Sequence, residues 1–84
     1  MQSGFKFTNE NSEYLIVLCE RNATRNVALL ICENTNCPFV TVRDLSERKN
    51  GCCDWAWGHY FSDFEKALTD YTERLTALKQ TKEI

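Results

Sequence analysis

Short apolar runs separated by turn-forming residues fill the first two thirds of the sequence, and they constrain the fold more than any other feature. Residues 14–19 and 27–32 are six-residue runs rich in leucine, isoleucine and valine. Runs of this length with turn-forming residues at both ends indicate strands rather than helices. Residues 39–45, which follow Pro38, and residues 5–8 predict two further strands.

The connectors between these runs are short and rich in Asn, Ser, Thr, Pro or Gly, which predicts hairpins and an antiparallel meander. From residue 53 the sequence alternates with a period of two, which predicts a last strand over residues 53–61. Gly58 can mark a bulge or a close approach of another backbone. Straight alternation predicts that one face of this strand carries Cys53, Trp55, Trp57, His59 and Phe61.

An amphipathic helix follows this strand. Ser62 is predicted to be its N-cap, with Glu65 completing a capping box. Asp70 and Arg74, four residues apart, are predicted to pair on the outer face of the helix. The predicted apolar stripe consists of Phe64, Ala67, Leu68, Tyr71, Leu75 and Leu78.

The fold class predicted from these patterns is α+β: an antiparallel meander of four to five strands with the C-terminal helix packed on one face. All 84 residues are expected to form one small domain. The face away from the helix is predicted to keep more apolar surface than a monomer usually exposes. A partner chain or a second copy in a homodimer would cover it, or long side chains would shield it.

Charge and composition exclude several classes of function. Twelve acids and ten bases give a net charge of −2, too acidic for general nucleic-acid binding. No run approaches the roughly 20 apolar residues that cross a membrane, so no membrane partner is expected. The N-terminus has no secretory pattern, and five cysteines are an odd number. Both observations predict a cytoplasmic protein with reduced thiols.

Four cysteines and the single histidine are the candidate metal ligands: Cys32, Cys37, Cys52, Cys53 and His59. Zinc prefers such ligands, and a zinc-stabilised domain is the alternative function. Neighbouring residues of a strand point to opposite faces, so the two adjacent cysteines suit one ion poorly. The main expectation is therefore no metal and no cofactor.

Catalysis by a thiol would require a cysteine within hydrogen-bond reach of His59, and Cys37 is the candidate. Because no oxyanion motif accompanies this pair, the sequence predicts that the protein is not an enzyme.

Candidate residues for binding a partner fall into an aromatic group and a basic group. Trp55 and Trp57 either form the core beneath the helix or remain exposed, with His59 and Tyr60, as a recognition surface. The second group lies in the loops at one end of the meander and is either simply solvated or a contact patch for an acidic protein surface or a nucleic-acid backbone. Its members are Arg21, Arg25, Arg48 and Lys49.

Residues 57–63, with Ala67, Asp70, Tyr71 and Arg74, resemble the C-terminal part of small uncharacterised proteins encoded by phages and integrative elements of Gram-positive bacteria. The resemblance covers the last third of the chain. Several small proteins of such elements inhibit host defence, anti-CRISPR proteins among them, and act by binding. The resemblance therefore implies a non-enzymatic accessory protein of a mobile element. Together with the small size, the absence of catalytic motifs and the aromatic-rich last strand, it predicts a module that occludes or holds a macromolecular partner, such as a CRISPR-type nuclease.

Overall fold

The computed structural model describes residues 3–9, 11–22, 24–33, 35–48 and 52–80. Five strands precede one helix, which confirms the predicted α+β meander. The elements are β1 (Lys6–Asn9), β2 (Ser12–Arg21), β3 (Asn26–Ile31), β4 (Phe39–Glu47), β5 (Cys53–Phe61) and α1 (Phe64–Gln80).

The five strands form one antiparallel sheet in which each strand pairs with its neighbour in the chain. The sheet curls until its first and last strands meet at one end. There Thr8 forms a bridge with Cys52, and the Asn9 side-chain amide donates a hydrogen bond of 2.8 Å to the carbonyl of Cys53. The curl gives the sheet a concave inner side and an outer side that carries the helix.

The inner side of the sheet holds a buried cluster that is separate from the helix. Phe5, Tyr14, Cys19 and Trp55 pack against its margin. Of the alternatives that the sequence left open for this apolar face, the structure agrees with shielding by the chain's own long side chains rather than by a partner or a second copy. We call this group the inner cluster; it comprises Phe7, Ile16, Ala28, Leu30, Val40, Val42, Leu45 and Cys53.

The helix packs on the outer side over β3, β4 and β5. Its buried contacts are made by Ala67, Tyr71 and Leu78, as predicted, whereas Phe64 and Leu68 of the predicted stripe are exposed. The sheet-facing side of the helix also carries the polar side chains of Asp70 and Arg74. No helix in the described part of the chain is both long and apolar enough to span a membrane.

Asp63, not the predicted Ser62, caps the helix. The first helical residue is Phe64, and the Glu65 backbone N–H donates a hydrogen bond of 2.9 Å to Asp63 Oδ1. The Asp63 carbonyl also accepts from the Ala67 backbone N–H at 3.1 Å. Because β5 extends to Phe61, the helix begins one residue later than the capping-box pattern indicates, and the box does not form.

Replacing Asp63 with alanine is expected to lower the free energy of unfolding by about 1 kcal/mol, the usual value of an N-cap side chain. Chemical denaturation monitored by circular dichroism measures the change. Ser62→Ala is the matched control and should cost less than about 0.5 kcal/mol. A larger effect of Ser62→Ala than of Asp63→Ala would assign the cap to Ser62.

Candidate functional site

A bulge in β5 presents Trp57 to solvent. Thr41 pairs with His59 and Arg43 pairs with Ala56, so that Trp57 and Gly58 together oppose a single residue of β4. Trp57 has a φ of 53°, in the left-handed region, and is 70% exposed. A bulky side chain rarely adopts this conformation, which costs on the order of 1–3 kcal/mol. Among the described residues, the most exposed large hydrophobic side chain thus lies on strained backbone.

Gly58 allows two polar aromatic groups to approach the bulge. A Cβ at this position would lie 3.1 Å from Trp55 Nε1 and 3.1 Å from the Tyr60 hydroxyl oxygen. Any larger residue would therefore have to displace both groups. The expectation that Gly58 marks a bulge is confirmed, although side chains rather than another backbone approach it closely.

The bulge also breaks the single face that straight alternation predicted for β5. Cys53 lies in the inner cluster, against which Trp55 packs. Beyond the bulge, His59 and Phe61 face the helix, where His59 contacts Asp70. The two tryptophans are consequently neither a joint core beneath the helix nor a jointly exposed pair.

Trp55 belongs to an aromatic group at the margin of the inner cluster. Its ring lies edge-on to Tyr14, with ring centroids 5.1 Å apart, and to Phe7 at 6.1 Å. Phe7 and Tyr14 stack at 5.4 Å. Aromatic pairs in these arrangements contribute about 0.5–1.5 kcal/mol beyond the burial of their area. The group holds Trp55 in a fixed position beside the exposed residues of β5.

A pocket of about 380 Å³ opens beside this aromatic group. Asp54 lies in its wall and forms an ion pair with the exposed Arg48. Exposed pairs of this kind contribute at most about 1 kcal/mol, so another cation can replace Arg48 at little cost. The pocket combines aromatic rings, an amide and a carboxylate, and its lining residues are Asn9, Tyr14, Asp54, Trp55 and Tyr60.

The exposed part of β5 and this pocket together form the candidate site, which we call the β5 surface: Asp54, Trp55, Trp57 and Tyr60. Tyr60 is 56% exposed and lines the pocket beside Trp55. Of the predicted aromatic candidates, the structure brings together Trp55 and Tyr60 at the pocket, exposes Trp57 at the bulge between them in sequence, and places His59 against Asp70.

The predicted basic patch is largely neutralised within the chain. Arg25 binds Asp44 through Nε at 3.2 Å and Nη2 at 2.9 Å. The hydrogen bonds from Arg25 hold the pKa of Asp44 below its ordinary value. Arg48 pairs with Asp54, and Arg21 is exposed at the end of β2. Lys49 lies outside the described residues.

His59 takes part in a polar network between the helix and the sheet. Asp70 Oδ2 accepts a hydrogen bond from the Thr41 hydroxyl and lies 3.0 Å from His59 Nδ1 and 3.3 Å from Arg74 Nε. The predicted pair of Asp70 and Arg74 therefore exists, but it lies on the sheet-facing side rather than the outer face. Only 9% of the Arg74 side chain is exposed.

Asp70 is the centre of this network. Burial acts to raise its pKa, but the hydrogen bonds with Thr41 and His59, and the charges of His59 and Arg74, hold the pKa of Asp70 below its ordinary value. The charged carboxylate is thus the form that the fold favours. The sequence spacing of Asp70 and Arg74 predicted their pairing. Thr41 in β4 and His59 in β5 could not be predicted as partners of Asp70, because only the register of the two strands and the packing of the helix bring them there.

The structure does not bring the candidate metal ligands together. Cys53 is buried in the inner cluster, where burial raises the pKa of its thiol, whereas His59 lies on the helix side. Cys37 precedes β4, and His59 pairs farther along that strand with Thr41. Among the described residues all five cysteines are free thiols, and no three His, Cys, Asp or Glu side chains could hold one metal ion.

Comparisons of the chain with protein-family models, with curated proteins and with solved structures give no match.

Proposed function

We propose that this protein is a non-enzymatic binding module that holds a protein partner through the β5 surface. The observation that carries the proposal is Trp57, a tryptophan 70% exposed on a strained bulge. Backbone strain tends to persist at functional positions, and exposed tryptophan and tyrosine are the commonest anchors of protein interfaces. Tyr60 and the rigidly packed Trp55 lie on the same strand and enlarge the contact.

The pocket beside these residues indicates the chemistry of the partner. Asp54 supplies a negative charge, and the rings of Trp55 and Tyr60 can accept a cation against their faces. A partner segment that carries an arginine or lysine next to apolar residues fits this combination, since the basic side chain would replace Arg48 at Asp54. The partner would thus be anchored by one charge and by aromatic contacts.

The absence of catalysis is part of the proposal. His59, the only imidazole, contacts Asp70 through Nδ1 at the edge of the helix, and about half of its side chain is exposed. Cys37, the thiol considered as the nucleophilic partner of His59, precedes β4, whereas His59 pairs with Thr41 within that strand. This arrangement supports a binding role over a thiol-based reaction.

Replacing Trp57 with glycine separates binding from folding. Glycine relieves the positive φ but increases the entropy of the unfolded chain, so the free energy of unfolding should change by less than about 1 kcal/mol. Affinity for the partner should fall at least about tenfold, because a central aromatic anchor is lost. Pull-down of a stoichiometric partner from a bacterial host with tagged chain, followed by calorimetric titration, measures the affinity. Urea denaturation of the two chains measures the free energy of unfolding.

The matched control is Leu68→Ala, which removes an exposed apolar side chain from the helix instead. It should leave the affinity unchanged. Equal affinity of the Trp57→Gly variant and the original chain would refute the role of the β5 surface.

The partner class rests on the resemblance of the last third of the chain to small proteins of phages and integrative elements. We propose a bacterial defence nuclease of the CRISPR type, whose activity the chain would block by occlusion. Cleavage of target DNA by such nucleases, measured with and without a stoichiometric amount of the chain, tests this class. Unimpaired cleavage throughout would remove the class and leave the binding surface to be tested with other partners.

A further inference from the structure

A second, smaller cavity lies on the opposite side of the sheet, beneath the C-terminal half of α1. Its volume is about 80 Å³; it is open to solvent on one side and is bounded by the start of β3, by β4 and by the helix. Three arginines from three different parts of the chain line it: Arg25, Arg43 and Arg74. Such a concentration of guanidinium groups at one small cavity is electrostatically costly unless negative charge balances it.

The acids near the cavity are committed to particular partners. Asp44 binds Arg25 through both of its carboxylate oxygens. Asp70 accepts from Arg74 Nε but shares the same oxygen with Thr41 and His59. Arg43 has no ion-pair partner in the part of the chain that the structure describes. The cavity therefore carries an excess of positive charge that centres on Arg43.

Two guanidinium N–H groups are also buried without a hydrogen bond. These are Nε of Arg43 and Nη1 of Arg74, neither of which has an acceptor among the described residues. The Arg74 side chain is 91% buried, since only 9% is exposed. A buried charged donor without an acceptor is costly, and native proteins seldom leave one so. Asn26 cannot help, because its side-chain amide already bonds the backbone N–H and carbonyl of Leu45.

The electrostatic state of Arg74 agrees with this description. Burial lowers its pKa; the charge of Asp70 opposes that change, and the positive charge of Arg43 adds to it. The two arginines therefore repel each other at the cavity.

We propose that this cavity binds a small oxyanion of the phosphate type, toward which Arg43 and Arg74 turn their buried N–H groups on binding, with Arg25 adding charge at its edge. About 10–15 Å³ is enough for one water, so 80 Å³ admits one such ion or a few waters. Guanidinium groups match the oxygens of phosphate in both charge and geometry. This inference does not depend on the β5 surface, which lies on another part of the sheet.

The test uses the full chain and inorganic phosphate. Phosphate is added at constant ionic strength against sodium chloride, and binding is followed by broadening of the phosphorus NMR signal and by the midpoint of thermal unfolding. At about ten times the dissociation constant, phosphate should raise the midpoint by on the order of 5–10 °C for a chain of this size. A parallel titration with O-phosphoserine distinguishes two sources of the ion. If the cavity binds a phosphate carried on a larger molecule, O-phosphoserine should bind more tightly than inorganic phosphate.

Two variants locate the ion. Arg43→Gln should abolish both the broadening and the thermal shift, whereas Arg48→Gln, the same change of charge at an exposed position outside the cavity, should retain them. An unchanged phosphorus signal with the original chain would show that the cavity holds water only and would overturn the proposal, and this measurement needs no variant to fold. Equal loss of binding in both variants would overturn it as well, because it would indicate general attraction of anions to surface arginines.

Discussion

Replacing Asp70 with alanine is expected to lower the free energy of unfolding by about 2–4 kcal/mol, a large share of the stability of a small domain. Asp70 is the only carboxylate that contacts Thr41, His59 and Arg74 among the described residues. Its removal leaves a guanidinium that is 91% buried without its counter-charge and next to Arg43. Urea denaturation of the variant and the original chain measures the loss.

Glu73→Ala is the matched control for this prediction, because Glu73 is an exposed acid of the same helix. It should change the free energy of unfolding by less than about 0.5 kcal/mol. If both variants lost equal stability, net charge rather than the network would account for the effect.

The same carboxylate predicts part of the pH dependence of stability. The pKa of Asp70 is lower in the folded chain than in the unfolded chain, so the folded state binds its proton less readily. The resulting stabilisation is present above the unfolded pKa and is lost as the pH falls through the folded pKa, which lies lower. In Asp70→Asn this contribution should disappear, and the decline in stability below about pH 5 should be less steep than in the original chain.

Replacing Leu30 with alanine should lower the free energy of unfolding by about 2–5 kcal/mol. Leu30 lies in β3, the middle strand, and is fully buried in the inner cluster. The surrounding strands are paired on both sides and cannot move together to fill the space, so a cavity is expected to remain. Denaturation with urea measures the loss, and circular dichroism of the variant checks that it still folds.

Leu18→Ala removes the same number of atoms from β2, but Leu18 is partly exposed. We expect it to cost less than half as much as Leu30→Ala. If Leu18→Ala and Leu30→Ala lowered the free energy of unfolding equally, the inner cluster would not be the buried core described above, because only Leu30 is fully buried in it.

Much of the architecture could be predicted from the sequence because its signals are local. Six-residue apolar runs, turn-rich connectors and a period near 3.6 identify the strands, their antiparallel order and the helix. The curl of the sheet could not be predicted in this way, because it depends on contacts between β1 and β5 about 44 residues apart. That closure is why the inner face is covered without a partner.

The sequence did not predict correctly which side chains of the last two strands face the inner cluster and which face the helix. Asp44 in β4 and Trp57 in β5 both have positive φ and lie at register shifts. Each shift exchanges the two faces of its strand, so Leu45 joins the inner cluster and His59 turns toward the helix. Neither residue type predicts a positive φ strongly, although Gly58 gave a signal for the second bulge.

The consecutive pairing of the strands has a consequence for how the protein is made. Each pairing joins neighbouring segments through a short connector, and such local topologies fold quickly. The pairings among β1 to β4 do not require β5, which is the last strand in the chain. The strand that carries Trp57 therefore joins the sheet along β4 and meets β1 only at one end. Its exposed side chains, Trp57 and Tyr60, belong to neither buried cluster, so mutation can alter this strand's surface with little effect on the assembly of the sheet.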